Sequence, residues 1–229
     1  MTNFTKLGIT TPVIATPNAP NIPMVPSATP AKALLDQQRA ADDKGENLGF
    51  ERKRTIPRIF NDQELDGLIA VGEAHAQPAS ISGGKNDDKI RRSEVVWLRR
   101  SEGYDWVYDR IWTAIDRLNA EFFHFDITGF QTSVQLTRYA ATNRGHYTWH
   151  MDNGDKNATR KLSFTVQVSD PDAYRGGDLE LFYKARSEVA SRDRGSITVF
   201  PSFVMHRVSP VKKGTRYSLV AWIEGPRWR

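Results

Sequence analysis

Two histidines and an aspartate, His150, Asp152 and His206, constrain this chain more than any bulk property of it. If His150 and Asp152 share a β-strand, their spacing of two turns both side chains to one face, because successive strand residues alternate sides. His206 stands before an apolar, turn-flanked stretch of the kind that returns beside an earlier strand. Two imidazoles and one carboxylate can hold a metal from one side and leave positions open, which suits iron(II) that must bind a cosubstrate and oxygen. An ordinary hydrogen-bonded His–Asp pair and a zinc site remain alternative readings of the same residues. Ten residues after His206 comes Arg216, with Ser218 on the same strand face and Pro210 and Lys213-Gly214 in between. A hairpin of that length is expected to set the guanidinium near the metal, where it could fork onto the far carboxylate of a chelating 2-oxo acid.

In this order the residues carry a resemblance. His150-Met151-Asp152, the distal His206, and Arg216 with Ser218 are similar to the iron(II)- and 2-oxoglutarate-dependent dioxygenases, in their prolyl 4-hydroxylase-like branch. The likeness runs from about Ile56 to Pro226 and takes in RRSEVVWL, the Tyr-rich approach to His150, GGDLEL and FPS. It implies a double-stranded β-helix, a jelly-roll or cupin-like barrel, with iron(II) on His150, Asp152 and His206 as the catalytic centre. It implies 2-oxoglutarate as cosubstrate with its 5-carboxylate on Arg216 and Ser218, O2 as oxidant, and ascorbate as a candidate reductant. Tyr139 and Gln167, on the strands before and after His150, are expected to add polar contacts to the cosubstrate. Tyr147, Trp149 and Trp222 are expected to wall the substrate pocket. A loop over 82–92, carrying Arg91 among several charges, is a candidate lid, with a plain exposed loop as the alternative. The implied reaction is hydroxylation of an unactivated C–H bond, first of a prolyl residue in a protein or peptide. The same chemistry on a small molecule such as a free amino acid, or on a nucleic-acid base, is the competing expectation.

Composition narrows the setting. The chain has 229 residues and no cysteine, so disulfides and iron–sulfur clusters are excluded and any iron must sit on nitrogen and oxygen ligands. The net charge of +5 invites a nucleic-acid reading, but residues 1–60 hold 8 basic and 5 acidic residues, leaving 24 against 22 for the rest. A nearly neutral body argues against a broad phosphate-binding surface. Proline interrupts every short apolar run near the start, so neither a signal peptide nor a membrane span is expected, and a cytoplasmic protein is.

Along the chain, residues 1–50 read as an arm, with six of the twelve prolines before residue 31 and a short helix over 31–43. Residues 51–229 read as the catalytic domain. Asn61 and Glu64 form a capping-box pattern that predicts a helix from 62 to about 76. Val107, Ile111, Ile115, Leu118 and Phe122 recur at helical spacing and predict a second helix bracing a sheet from outside. From residue 130 onward the pattern is strands, EVVWL having come earlier: HYTWHM, KLSFTVQVS, DLELFY, GSITVFP, HRVSPV and RYSLVAWI, parted by turn residues. His124 is expected to be structural. The class is therefore mostly β with flanking helices.

Overall fold

The computed structural model describes residues 52–79, 87–183 and 185–228. The Pro-rich arm, the helix expected over 31–43 and residues 82–86 of the expected lid lie outside these. In chain order the elements are β1 (Arg54–Ile56), α1 (Asp62–His75), β2 (Gln77–Pro78), β3 (Arg91–Arg92), β4 (Glu94–Leu98) and α2 (Asp105–Leu118). Then follow β5 (Val134–Ala140), β6 (His146–His150), β7 (Arg160–Gln167), β8 (Tyr174–Gly176) and β9 (Leu179–Tyr183). The last four are β10 (Arg186–Val189), β11 (Ile197–Pro201), β12 (His206–Val208) and β13 (Val211–Glu224). No helix among the described residues is long and apolar enough to cross a membrane.

The helices begin and face as their sequences dictate. At α1 the Asn61 side chain accepts the Glu64 amide at 2.9 Å while the Glu64 carboxylate accepts the Asn61 amide at 2.9 Å. Both contacts satisfy amides that a helix start leaves without partners. Helix α2 buries Val107, Ile111, Ile115 and Leu118 and packs on β11, whereas α1 packs on β4 and β5.

Two antiparallel sheets make the barrel. The larger runs β1-β11-β7-β13-β5-β4-β2, with β8 also on β13; the smaller runs β10-β9-β12-β6-β3. Period-two alternation gives the larger sheet two unlike faces. Leu162, Phe164 and Val166 of β7, Tyr217, Leu219, Ala221 and Ile223 of β13, and Ile197 and Val199 of β11 join the buried cluster beneath the helices. The residues between them, Ser163, Thr165, Gln167, Arg216, Ser218 and Thr198, are buried too, but point the other way and are polar. The main apolar core thus lies outside the barrel, between sheet and helices, and the barrel interior is left for chemistry.

One expectation is corrected here. The segment from His206 to Arg216 is not a hairpin: β12 pairs with β6 and β9 in the smaller sheet, and β13 pairs with β5, β7 and β8 across the barrel. Lys213-Gly214 lies within β13 rather than at a turn, and the change of sheet falls at Ser209-Pro210. Gly214 still needs to be glycine, since its φ is +69° and a Cβ would come within 2.0 Å of the Ala173 carbonyl oxygen.

Two glycines of α1 separate helix propensity from packing. A Cβ at Gly67 would meet nothing within 4 Å, whereas at Gly72 that atom would lie 2.7 Å from Cε1 of Tyr217. The Tyr217 hydroxyl is held by Nε of Arg138 at 3.1 Å, so the ring is not free to swing away. Gly67→Ala should stabilise the protein by about 1 kcal/mol through helix propensity. Gly72→Ala should destabilise it, because overpacking of about 1–3 kcal/mol outweighs the same gain. Urea unfolding of the two variants reads both signs.

Candidate metal centre

Strands β6 and β12 are antiparallel neighbours, and their register sets His150 directly opposite His206. Asp152 is not on the strand, as the spacing had suggested. β6 ends at His150, and Asp152 lies in the following turn, where its amide donates to the Ser202 carbonyl at 3.0 Å. That turn brings the carboxylate back beside the two rings. One donor atom from each of the three residues lies within 4.8 Å of the others.

The hydrogen bonds decide which atoms face the centre. Nδ1 of His150 lies 2.7 Å from the Thr148 carbonyl oxygen, and Nδ1 of His206 lies 2.9 Å from the Val204 carbonyl oxygen. A carbonyl cannot donate, so each Nδ1 carries the hydrogen and donates it, leaving Nε2 with a lone pair. Those lone pairs face Asp152: Nε2 of His150 is 3.7 Å from Oδ1, and Nε2 of His206 is 3.3 Å from Oδ2. Three electron-pair donors converging on one point require a cation between them. Two neutral rings and one carboxylate suit a divalent ion with open positions, so the residues fit the iron(II) site that the sequence implied.

Electrostatics agree. Burial opposes the Asp152 carboxylate, but the charge and hydrogen bond of His206, the charge of His150 and the Ser163 hydroxyl outweigh it and hold its pKa well below the usual carboxylate range. Burial pushes the pKa of His150 down to about 4, with the charge of His206 acting in the same direction. For His206 burial likewise favours the neutral ring, yet the facing Asp152 carboxylate prevails and raises the pKa. Ser163 donates to Oδ2 of Asp152 at 2.6 Å and fixes the carboxylate from behind.

A second feature lies farther along the same interior. Arg216 is 1% exposed, and no carboxylate pairs with it among the described residues. One terminal nitrogen donates to Oε1 of Gln167 at 2.9 Å, while Nε has no partner. Ser218 stands opposite both Thr137 and Gln167 in one cross-strand row, and the Ser218 and Thr137 hydroxyls are also buried without partners. A buried cation with unpaired donors around it is costly unless an anion completes it. Gly177 makes room for this arrangement, since a Cβ there would lie 3.2 Å from Cδ of Arg216.

The other expected site residues divide. Tyr139 is buried opposite Arg216, its ring 5.7 Å from the guanidinium. Gln167 meets Arg216 itself. Tyr147 stacks on His150 with centroids 3.6 Å apart, and Arg91 lies over the other end of that group, 5.0 Å from the Tyr147 ring. Arg91 also donates to Ser93 and Gln135. Trp222 shares the inner face with Arg216, and its buried indole N–H has no partner. Trp149 is not brought to the centre: it packs on Phe182 and Arg207, which lie on the outer face of the smaller sheet. Sequence reasoning missed Ser163, Thr137 and Arg160. Ser163 and Thr137 were readable as polar positions alternating with apolar ones. Arg160 had no such mark; its guanidinium lies 3.5 Å over the Trp222 ring and donates to the Asp152 carbonyl at 3.1 Å.

Comparison with known proteins points one way. Residues 134–224 match the model of the 2OG-Fe(II) oxygenase superfamily. A PKHD-type hydroxylase of Synechococcus sp. (strain CC9311) is 32% identical over 177 residues, covering 75% of this chain and 72% of its own. Among solved structures, a Pseudomonas putida prolyl-4-hydroxylase superposes with a TM-score of 0.63 at 17% identity, over 85% of this chain and 98% of its own. A Trichoplax adhaerens prolyl hydroxylase, solved with a hypoxia-inducible-factor peptide fragment, gives 0.65 at 18% identity over 84% and 92%. The double-stranded β-helix is the fold of these neighbours.

His150→Ala, Asp152→Ala and His206→Ala should each abolish tight binding of a divalent transition metal while the apoprotein still unfolds in a single cooperative transition. Ser163→Ala should keep the site but weaken it by about 10–100-fold, the usual effect of losing a partner that orients a ligand. Calorimetric titration with manganese(II) under matched conditions measures both.

Proposed function

Because the chain belongs to the 2OG-Fe(II) oxygenase superfamily, in its prolyl 4-hydroxylase-like branch, and is a hydroxylase, we propose that it hydroxylates a prolyl residue within a peptide. The family works with iron(II), 2-oxoglutarate and O2, which together supply the oxidising power to place a hydroxyl on an unactivated C–H bond. The protein's own residues bind, orient and exclude water.

His150, Asp152 and His206 would hold the metal, with Ser163 orienting the carboxylate and the Thr148 and Val204 carbonyls orienting the rings. Arg216, positioned by Gln167, and the Ser218 and Thr137 hydroxyls would receive the 5-carboxylate of 2-oxoglutarate, which is the anion this buried cation lacks. Tyr139 closes that end.

The observation that carries the peptide reading is a pair of buried N–H donors near the metal ligands, Nε of Arg160 and Nε1 of Trp222, neither with a partner. A peptide carbonyl could satisfy them while the Trp222 and Tyr147 rings take the apolar face of a pyrrolidine. The Trichoplax neighbour, which carries a peptide, supports the same reading.

Arg216→Ala should weaken 2-oxoglutarate binding by about 2–5 kcal/mol, roughly thirtyfold or more, because it leaves a buried carboxylate unpaired. Arg216→Lys should recover only part of this, since an ammonium cannot make the paired fork. The substrate is tested by a screen of proline-containing peptides against free amino acids and nucleobases, reading succinate release and the gain of one oxygen atom by mass spectrometry. A free metabolite hydroxylated far faster than every peptide would overturn the peptidyl reading.

A further inference from the structure

Strand β3 is only two residues long, yet its register fixes a cation beside the metal ligands. Arg91 stands opposite Tyr147 on β6 and lies 5.0 Å over the Tyr147 ring, which itself stacks on His150 with centroids 3.6 Å apart. The guanidinium is therefore one ring removed from a metal ligand. Its Nε donates to the Ser93 hydroxyl at 2.8 Å, and a terminal nitrogen donates to Oε1 of Gln135 at 3.2 Å. Both acceptors are neutral, so they orient the side chain and leave its charge uncompensated. The acidic groups nearby are engaged elsewhere: Asp88 with Arg92, Glu94 with Arg138, and Asp152 with the two histidines. Among the described residues no carboxylate forms an ion pair with Arg91.

The inner face opens to solvent on this side. Gln135, 5% exposed, stands opposite Trp97 on β4, which is 43% exposed although Val96 beside it packs on the apolar core. Strand pairing and side-chain contacts thus link Trp97, Gln135, Arg91, Tyr147 and His150 in one series from solvent to the metal ligands. A guanidinium oriented by neutral groups along such a path suits a carboxylate, which it can grip with two parallel N–H bonds. Arg160, the other guanidinium at the centre, is disposed differently, over the Trp222 ring and on the Asp152 carbonyl.

We propose that Arg91 is a specificity-determining residue that receives a carboxylate of the substrate, so the preferred substrate is acidic close to the target proline. The inference rests on the prolyl hydroxylase reading above and adds the charge of the substrate to it. The same chemistry has two sources: an aspartyl or glutamyl side chain near the proline, or the α-carboxylate of a proline that ends its chain.

The test measures kcat/KM of the full-length, iron(II)-loaded protein, with 2-oxoglutarate and O2, on peptides that each hold a single proline. In one arm an aspartate is moved through the positions on either side of that proline, with asparagine and lysine counterparts. In the other arm, peptides ending in proline carry a free or an amidated terminus, and free proline is included. Wild type should prefer the acid to its neutral counterpart in one arm by about tenfold or more, chiefly through KM, as the gain of a charge-assisted hydrogen bond implies. Arg91→Gln should lose that preference. Where the aspartate arm responds, Arg91→Glu should invert it in favour of lysine, a reversal that loss of a tether to Ser93 and Gln135 would not produce. Each ratio is taken within one variant, and the wild-type ratios test the charge preference by themselves, so poor folding of a variant does not decide the result. Equal rates on acidic, neutral and basic peptides, with free and amidated ends alike, overturn the inference and leave the prolyl reading in place. An acid preference undiminished in Arg91→Gln also overturns it and assigns the carboxylate to Arg160. Failure to hydroxylate any proline, peptidyl or free, sinks the prolyl reading and this inference with it.

Discussion

The two-residue alternation of β13 is the constraint on which the rest of the molecule depends. This strand lies between β5 and β7 in the larger sheet, and it sends Tyr217, Leu219, Ala221 and Ile223 to the helices and Arg216, Ser218 and Trp222 to the interior. A slip of one residue would exchange the sets, bury a guanidinium among Leu136, Phe164 and Ile111, and turn leucine and isoleucine toward the metal ligands. The penalty for an unpaired charge in such a core is several kcal/mol, which makes the register strongly specified. Fold and site are therefore fixed by one pattern.

That arrangement divides labour between two spaces. The apolar core lies outside the barrel, where α1 and α2 cover the larger sheet, and its fully buried Phe164, Leu136, Ile111 and Ile115 supply cohesion. The interior holds a row of serines, threonines and a glutamine around Arg216, several with unpaired donors. Polar groups left so are a net loss to folding, and the outer core offsets it. The barrel is stable enough to keep an interior that only ligands complete.

Much of this was legible in the chain, and what was not has a physical reason. The capping box at Asn61 and the apolar stripe of α2 were readable because both are local. The His–Asp–His set was readable because its residue types are scarce in a core. The path from His206 to Arg216 was misread, since Pro210 with Lys213-Gly214 resembles a hairpin turn and nothing in the local sequence says that the chain crosses from one sheet to the other. Asp152 was placed on the strand for a similar reason: its departure depends on the Ser202 carbonyl, fifty residues away in the chain. Trp149 was assigned by nearness to His150, whereas alternation sends it to the opposite face. Arg160 escaped notice because its role arises from contact with Trp222 and Asp152, which no spacing announces.

The two histidines share a device that bears on how the centre works. Each ring donates Nδ1–H to the carbonyl two residues earlier in the chain, Thr148 for His150 and Val204 for His206. The orientation of each imidazole is therefore set by its own strand and not by the metal. Asp152 is held as independently, by Ser163 on a strand of the facing sheet. All three ligand side chains are thus oriented by hydrogen bonds of the protein itself, which lowers the ordering cost of binding a cation. Arg216 is prepared in the same way, one terminal nitrogen already held by Gln167 and its Nε without a partner. A barrel whose groups are oriented in advance spends little binding energy on ordering them, and more of it remains for aligning a substrate C–H bond with the metal.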